Sequence, residues 1–213
     1  MVGIDTIVLA ALISSLVGPV LVKIVEAIIQ VWKEKWKKTS DHESTDPLQD
    51  ALDNSEVINS YLNNLLTDFE FDRVWVSMFH NGGHFYPTGK SIQKFSIFYE
   101  VTKPGIATVQ QQFSNTPVGL FASSISEVYR NGRLMVDMED FDMYGLEAAM
   151  VSTGTKSTFL FALKNLEGKF FGLVGFDSVT ESRKLTSAEM EMLQSQINTL
   201  SGYIYEYLHV KSK

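Results

Sequence analysis

Apolar and polar positions alternate with a period of two at the centre of the chain, in two runs on either side of a glycine-rich connection. In the first run Val74, Val76 and Met78 alternate with Trp75, Ser77 and Phe79. In the second, Phe95, Ile97 and Tyr99 alternate with Ser96, Phe98 and Glu100. A period of two sends successive side chains to opposite faces of a strand. Asn81-Gly82-Gly83 tolerates positive φ and predicts the chain reversal between the runs. The centre is therefore read as an antiparallel sheet whose connecting loop carries much of the polar chemistry.

The pattern changes on both sides of this sheet. Thr6 to Val22 contains no charged residue; Lys23 and Glu26 follow, and then a mostly apolar run to Trp32. A helix needs roughly 20 predominantly apolar residues to cross a bilayer. A lysine can snorkel to the interface, and Trp32 and Trp36 suit the headgroup region. Residues 4–31 are read as one membrane-spanning helix, kinked at Gly18-Pro19; an amphipathic helix lying on a membrane surface or against a partner is the alternative. Lys33, Lys35, Lys37 and Lys38 follow it, which predicts a cytoplasmic C-terminal body and an N-terminus outside. Residues 39–46 are a polar, acidic linker.

From Asp46-Pro47 the spacing predicts a helix, with Asp as N-cap and Pro in the first turn. Leu48, Leu52, Ile58, Leu62, Leu65 and Phe69 make its apolar stripe. The helix leads into a strand over Arg73–Phe79. After the second strand, Lys103-Pro104-Gly105 marks a turn, and Ile106–Phe113 reads as a further strand broken at Asn115-Thr116-Pro117. A short helix containing Leu120, Ile125, Val128 and Tyr129 ends at Asn131-Gly132. A strand over Arg133–Met138, an acidic turn at Glu139-Asp140-Phe141-Asp142 and a helix over Tyr144–Val151 come next. Ser157–Lys164 and Lys169–Asp177 form a hairpin around Leu166-Glu167-Gly168. Thr186-Ser187-Ala188-Glu189 has the capping-box pattern and opens a last helix. Its stripe of Leu193, Ile197, Leu200, Ile204 and Leu208 is either core or a helix-bundle seam.

Composition narrows the function classes. The chain has 213 residues, 45% of them hydrophobic, and a net charge of -7. Residues 1–38 hold five lysines against Asp5, Glu26 and Glu34, a balance of +2, so the body is more acidic than the whole. An acidic body argues against nucleic acid as a partner, because phosphate contacts dominate that affinity. The absence of Cys excludes disulfides, thiolate metal sites and cysteine nucleophiles.

The order of elements resembles a GAF domain, the sensor fold of cyclic-nucleotide phosphodiesterases, phytochromes and bacterial signalling proteins. The resemblance covers about Pro47 to Tyr207. It is carried by F-D-R-V-W-V-S-M-F at the entry to the sheet, and by K-F-F-G-L-V-G-F-D-S followed by L-T-S-A-E-M-E-M-L at the end. The H-N-G-G…G-K-S-I-Q-K-F stretch also resembles small hypothetical proteins of tailed phages. The GAF resemblance implies an α+β fold: a central antiparallel sheet with the first and last helices on one face and a ligand pocket under the short helices on the other. It does not carry over whole. There is no Cys for bilin attachment or for methionine sulfoxide reduction. The N-K…F…D-E motif of cyclic-nucleotide binders is not intact, since Lys164-Asn165 is reversed and Asp177 stands isolated.

The polar-aromatic loop supplies the candidate site. His80 and His84 lie four apart, but the intervening glycines favour a loop over a helical metal site. Gly83 to Ser91 resembles a P-loop only loosely: five residues separate Gly83 and Gly89 instead of four, and a strand follows rather than a helix. The expected ligand-binding residues are His80, Asn81, His84, Tyr86, Lys90, Tyr99 and Tyr144, with no metal and the ligand unspecified. The organisation reads as an anchor at 1–38, a linker at 39–46 and a GAF-like domain at 47–213. The chain is read as a membrane-anchored, cytoplasmic sensor or small-ligand module that is not an enzyme and that dimerises through the first and last helices of that domain. A ligand-free interaction module, phage-encoded and acting on a host membrane factor, is the alternative.

Overall fold

A computed structural model describes residues 47–85, 87–140 and 144–209. The expected membrane helix at 4–31 and the linker lie outside the described residues. Among the described residues, no helix is long and apolar enough to cross a membrane.

The described residues from Asp50 to His209 pack as one compact unit. Helix α1 (Pro47–Asp68) is followed by strands β1 (Arg73–His84) and β2 (Ser91–Thr102), and by a two-residue strand β3 (Thr116–Pro117). Helix α2 (Ala122–Asn131), strand β4 (Arg133–Asp137) and helix α3 (Tyr144–Thr153) come next, then strands β5 (Ser157–Lys164) and β6 (Phe170–Ser178) and helix α4 (Ser187–His209). The six strands form one antiparallel sheet in the order β3-β2-β1-β6-β5-β4. Strand β5 is buried over nearly its whole length because both faces of the sheet are covered.

Alternation along the strands divides the core in two. Val74, Val76, Phe159, Phe161, Leu163, Val174 and Phe176 meet Ile58, Leu62 and Leu65 of α1 and Leu193, Ile197, Leu200 and Ile204 of α4. On the other face, Trp75, Phe79, Leu160, Ala162 and Leu173 meet Val128 of α2 and Leu146 and Met150 of α3. The expected layering, with the terminal helices together and the short helices opposite, is the one observed. The stripe of α4 is core as far as Ile204, whereas Leu208 is exposed.

Three local expectations are corrected. Asn81-Gly82-Gly83 does not reverse the chain: it stays within β1, and the reversal lies at residues 85–90, where Phe85 N–H donates to the Lys90 carbonyl at 2.8 Å. At Gly82 the aliphatic stem of Lys94 crosses the strand, 2.3 Å from where a Cβ would project, so a side chain there would displace the lysine. Ile106–Phe113 is not a strand. Its backbone is held by a side chain instead, since the Glu100 carboxylate accepts from Val109 N–H at 2.7 Å and Gln110 N–H at 2.8 Å. Finally, Leu48 and Leu52 do not continue the buried stripe of α1; they are 66% and 55% exposed. A bulge between Val76 and Ser77 leaves Phe98 unopposed in the β1–β2 register and turns it outward.

Candidate functional site

A cavity of about 60 Å³ lies between the α2–α3 face of the sheet and those two helices. Its floor is Trp75 of β1, Leu160 of β5 and Leu173 of β6. Phe95 and Ile97 of β2 form one wall, and Ile125 of α2 and Met150 of α3 another. Phe121 also lines the cavity, its ring packed edge-on against Phe95 and Phe113 at centroid distances of 5.5 and 6.1 Å. The Trp75 indole reaches this position because residue 175, opposite it on β6, is a glycine; a Cβ there would stand 2.1 Å from the ring.

One end of the cavity is polar. Arg73, 1% exposed, donates from Nε to Asp177 at 2.8 Å, from Nη2 to Thr155 Oγ1 at 2.8 Å and from Nη1 to the Ala107 carbonyl at 3.1 Å. Asp177 also accepts from Trp75 Nε1 at 3.0 Å and from Thr158 Oγ1 at 2.6 Å. Buried ions of this kind persist only when paired and hydrogen-bonded. Because Asp177 and Arg73 satisfy each other and their neighbours, the cavity presents little unpaired polarity. It is therefore chemically suited to a small apolar ligand. The same cluster ties β1, β6, the start of β5 and the loop at Ala107 to one point.

Of the expected site residues, His80, Asn81, His84, Lys90 and Tyr99 do not line this cavity. His80 is half-buried, with Nε2 2.9 Å from Ser96 Oγ. Asn81 accepts from Ser91 Oγ and Gln93 Nε2 at 3.2 and 3.1 Å. His84 and Lys90 are exposed on the hairpin. Tyr99 packs on the opposite face of the sheet, against the α1–α4 core. Burial raises its phenol above the usual range, Tyr207 adds to this, and a hydrogen bond with Ser55 opposes it. Tyr86 lies outside the described residues; Tyr144 opens α3. The hairpin thus brings His80, Asn81, His84 and Lys90 together, apart from Tyr99. Sequence reasoning missed Arg73, Thr155, Thr158 and the aromatic pair of Phe113 and Phe121. The available signal was a charge inside each of two apolar runs, Arg73 in F-D-R-V-W and Asp177 in V-G-F-D-S. Among the described residues, no group of three His, Asp or Glu could hold a metal ion.

No family model and no curated protein sequence matches the chain. Solved structures do. A far-red cyanobacteriochrome photoreceptor superposes with a TM-score of 0.58 at 14% identity, covering 85% of this chain and 100% of that one. The GAF domain of PixJ from Thermosynechococcus elongatus, in its blue-light-absorbing form, gives 0.56 at 15% identity, covering 78% and 92%. The fold is GAF-like. The phycocyanobilin-bound GAF domain of a cyanobacterial phytochrome gives 0.57 at 16% identity over 77% and 92% of the two chains. At such identities the likeness concerns the fold. A GAF-like fold nevertheless accounts for the layering above, with the cavity under the short helices.

Proposed function

We propose that this chain is a small-ligand sensor module, anchored to a membrane through residues 4–31 with its GAF-like body on the cytoplasmic side. The observation that carries the binding role is the apolar cavity lined by Phe121 and based on the Arg73–Asp177 pair. Ligand entry would press on α2, α3 and the loop at Ala107, all of which border the cavity or its polar base. The chemistry is binding rather than catalysis, because the charged groups at the cavity are consumed by one another. A bilin is not the ligand: the cavity is far too small for a tetrapyrrole, and the chain has no Cys to attach one.

The cavity measures only about 60 Å³. That small size also favours a second reading, a ligand-free interaction module. Xenon, which enters dry apolar cavities, separates the two. In the sensor reading, pressurised xenon shifts the methyl resonances of Ile125, Leu160 and Met150 in a saturable way, and native mass spectrometry of the detergent-solubilised chain finds a copurifying small mass. Ala149→Leu, which adds bulk at the cavity wall, abolishes both. An unshifted spectrum together with a clean apo mass would move the assignment to the interaction module.

A further inference from the structure

We propose that the β1–β2 hairpin is a docking arm that seats on the outward face of α1 in a second copy of this chain. Strand β1 pairs with β6 only from Arg73 to Met78, and β2 pairs with β3 only at Lys94 and Phe95. From His80 to Gln93 the two strands have only each other among the described residues. The arm is ordered by its own contacts: Asn81 with Ser91 and Gln93, the Lys94 stem over Gly82, and Phe85 with Lys90 and Gly89. The cavity uses none of this.

The arm is basic in an acidic protein. From Val74 to Tyr99 there is no Asp or Glu, and Lys90 and Lys94 make no ion pair among the described residues. Phe85 at the turn is 53% exposed. The first turns of α1 offer the complement. Leu52, Asp53, Glu56 and Val57 are exposed and cluster on the side of the helix away from the buried Ile58 and Leu62. An acidic face bearing two exposed apolar side chains matches a basic arm bearing one.

Each copy carries both the basic arm and the acidic helix face, so a two-fold pair can exchange arms reciprocally. An anionic lipid surface would complement the lysines alone and leave Asp53 and Glu56 without a role, so a second copy fits the charge pattern better.

The test is the mass of the full-length chain in detergent, measured by light scattering over a concentration series. The wild type should dimerise, and the dimer should weaken with salt. Lys90→Glu with Lys94→Glu, and separately Asp53→Lys with Glu56→Lys, should each reduce dimer affinity by about tenfold or more, since facing like charges are strongly unfavourable. Mixing the two doubly substituted chains should restore both contacts, because the acidic arm then meets the basic helix and the basic arm the acidic helix, and combining all four changes in one chain should restore both as well. A monomeric wild type overturns the proposal. So does a dimer that survives either reversal, or a mixture that fails to pair although each chain keeps the wild-type circular dichroism and melting transition.

Discussion

Asp72 shows how much one side chain can organise. It is 4% exposed and sits in the tight connection between α1 and β1. Burial works against its charge. The N–H groups of Thr180 and Val179, the Lys103 ammonium and the Thr180 hydroxyl outweigh that cost, and its pKa falls from 3.8 to about 2. Asp72 thereby fastens the segment after β6 to the start of β1. A carboxyl whose folded pKa lies below its unfolded value stabilises the protein above the unfolded pKa. That stabilisation is lost as pH falls through the folded one. Asp72→Asn is therefore expected to cost about 2 kcal/mol at pH 7, a cost that shrinks as pH drops from 4 towards 2. Urea unfolding of both proteins across that range measures it, and a cost that does not change with pH would refute the assignment. Arg73 and Asp177 form a second buried pair, in which loss of Arg73 leaves Asp177 buried without its counter-charge.

At the scale of elements, glycine acts in opposite ways at two positions. Gly132 ends α2 with φ 79° and its N–H bonded to the Val128 carbonyl, the left-handed cap that L side chains enter at a cost. Gly202 lies inside α4 at an ordinary helical φ, where glycine loses more conformational freedom on folding than alanine. Both have open space where a Cβ would go, so only the backbone separates them. Gly132→Ala should destabilise by about 1 kcal/mol, and Gly202→Ala should stabilise by about 0.5–1 kcal/mol. Thermal melts of the two variants should therefore move in opposite directions; a shared direction would show that packing rather than backbone preference governs one site. Capping followed its sequence signature at α4, where Thr186 and Glu189 exchange hydrogen bonds of 3.2 and 2.8 Å. The segment after Gly105 did not follow its apolar pattern. A distant carboxylate, Glu100, supplied the partners that a neighbouring strand would have provided.

For the whole molecule, the proposed arrangement is a body held beneath a membrane by an N-terminal helix with basic flanking residues. The lysines from Lys33 to Lys38 favour the cytoplasmic side for the body. In sealed vesicles of known orientation, protease added on the non-cytoplasmic side should leave the body intact, whereas cytoplasmic access should degrade it. Digestion from the non-cytoplasmic side would reverse the topology. The test is independent of the cavity and of the arm, so each reading can fail alone.

Most of the order of elements, the layering of helices on the sheet and the caps at Gly132 and Thr186 were legible in the sequence because they rest on local periods and on backbone preferences of single residues. Leu48 and Leu52 mark the limit of that reading: the period places them on a stripe, but only the extent of the sheet beneath decides which part of the stripe is covered. The hairpin glycines were visible as special, yet their role was set by Lys94 crossing Gly82, a contact between two strands. The cavity was legible least of all. Arg73 and Asp177 stand 104 positions apart, and residues from nine segments between them supply its remaining walls. Periodicity assigns such residues to an inner face. Which of them enclose a space, and which merely fill the core, follows from tertiary packing, because it depends on how side chains from distant segments meet.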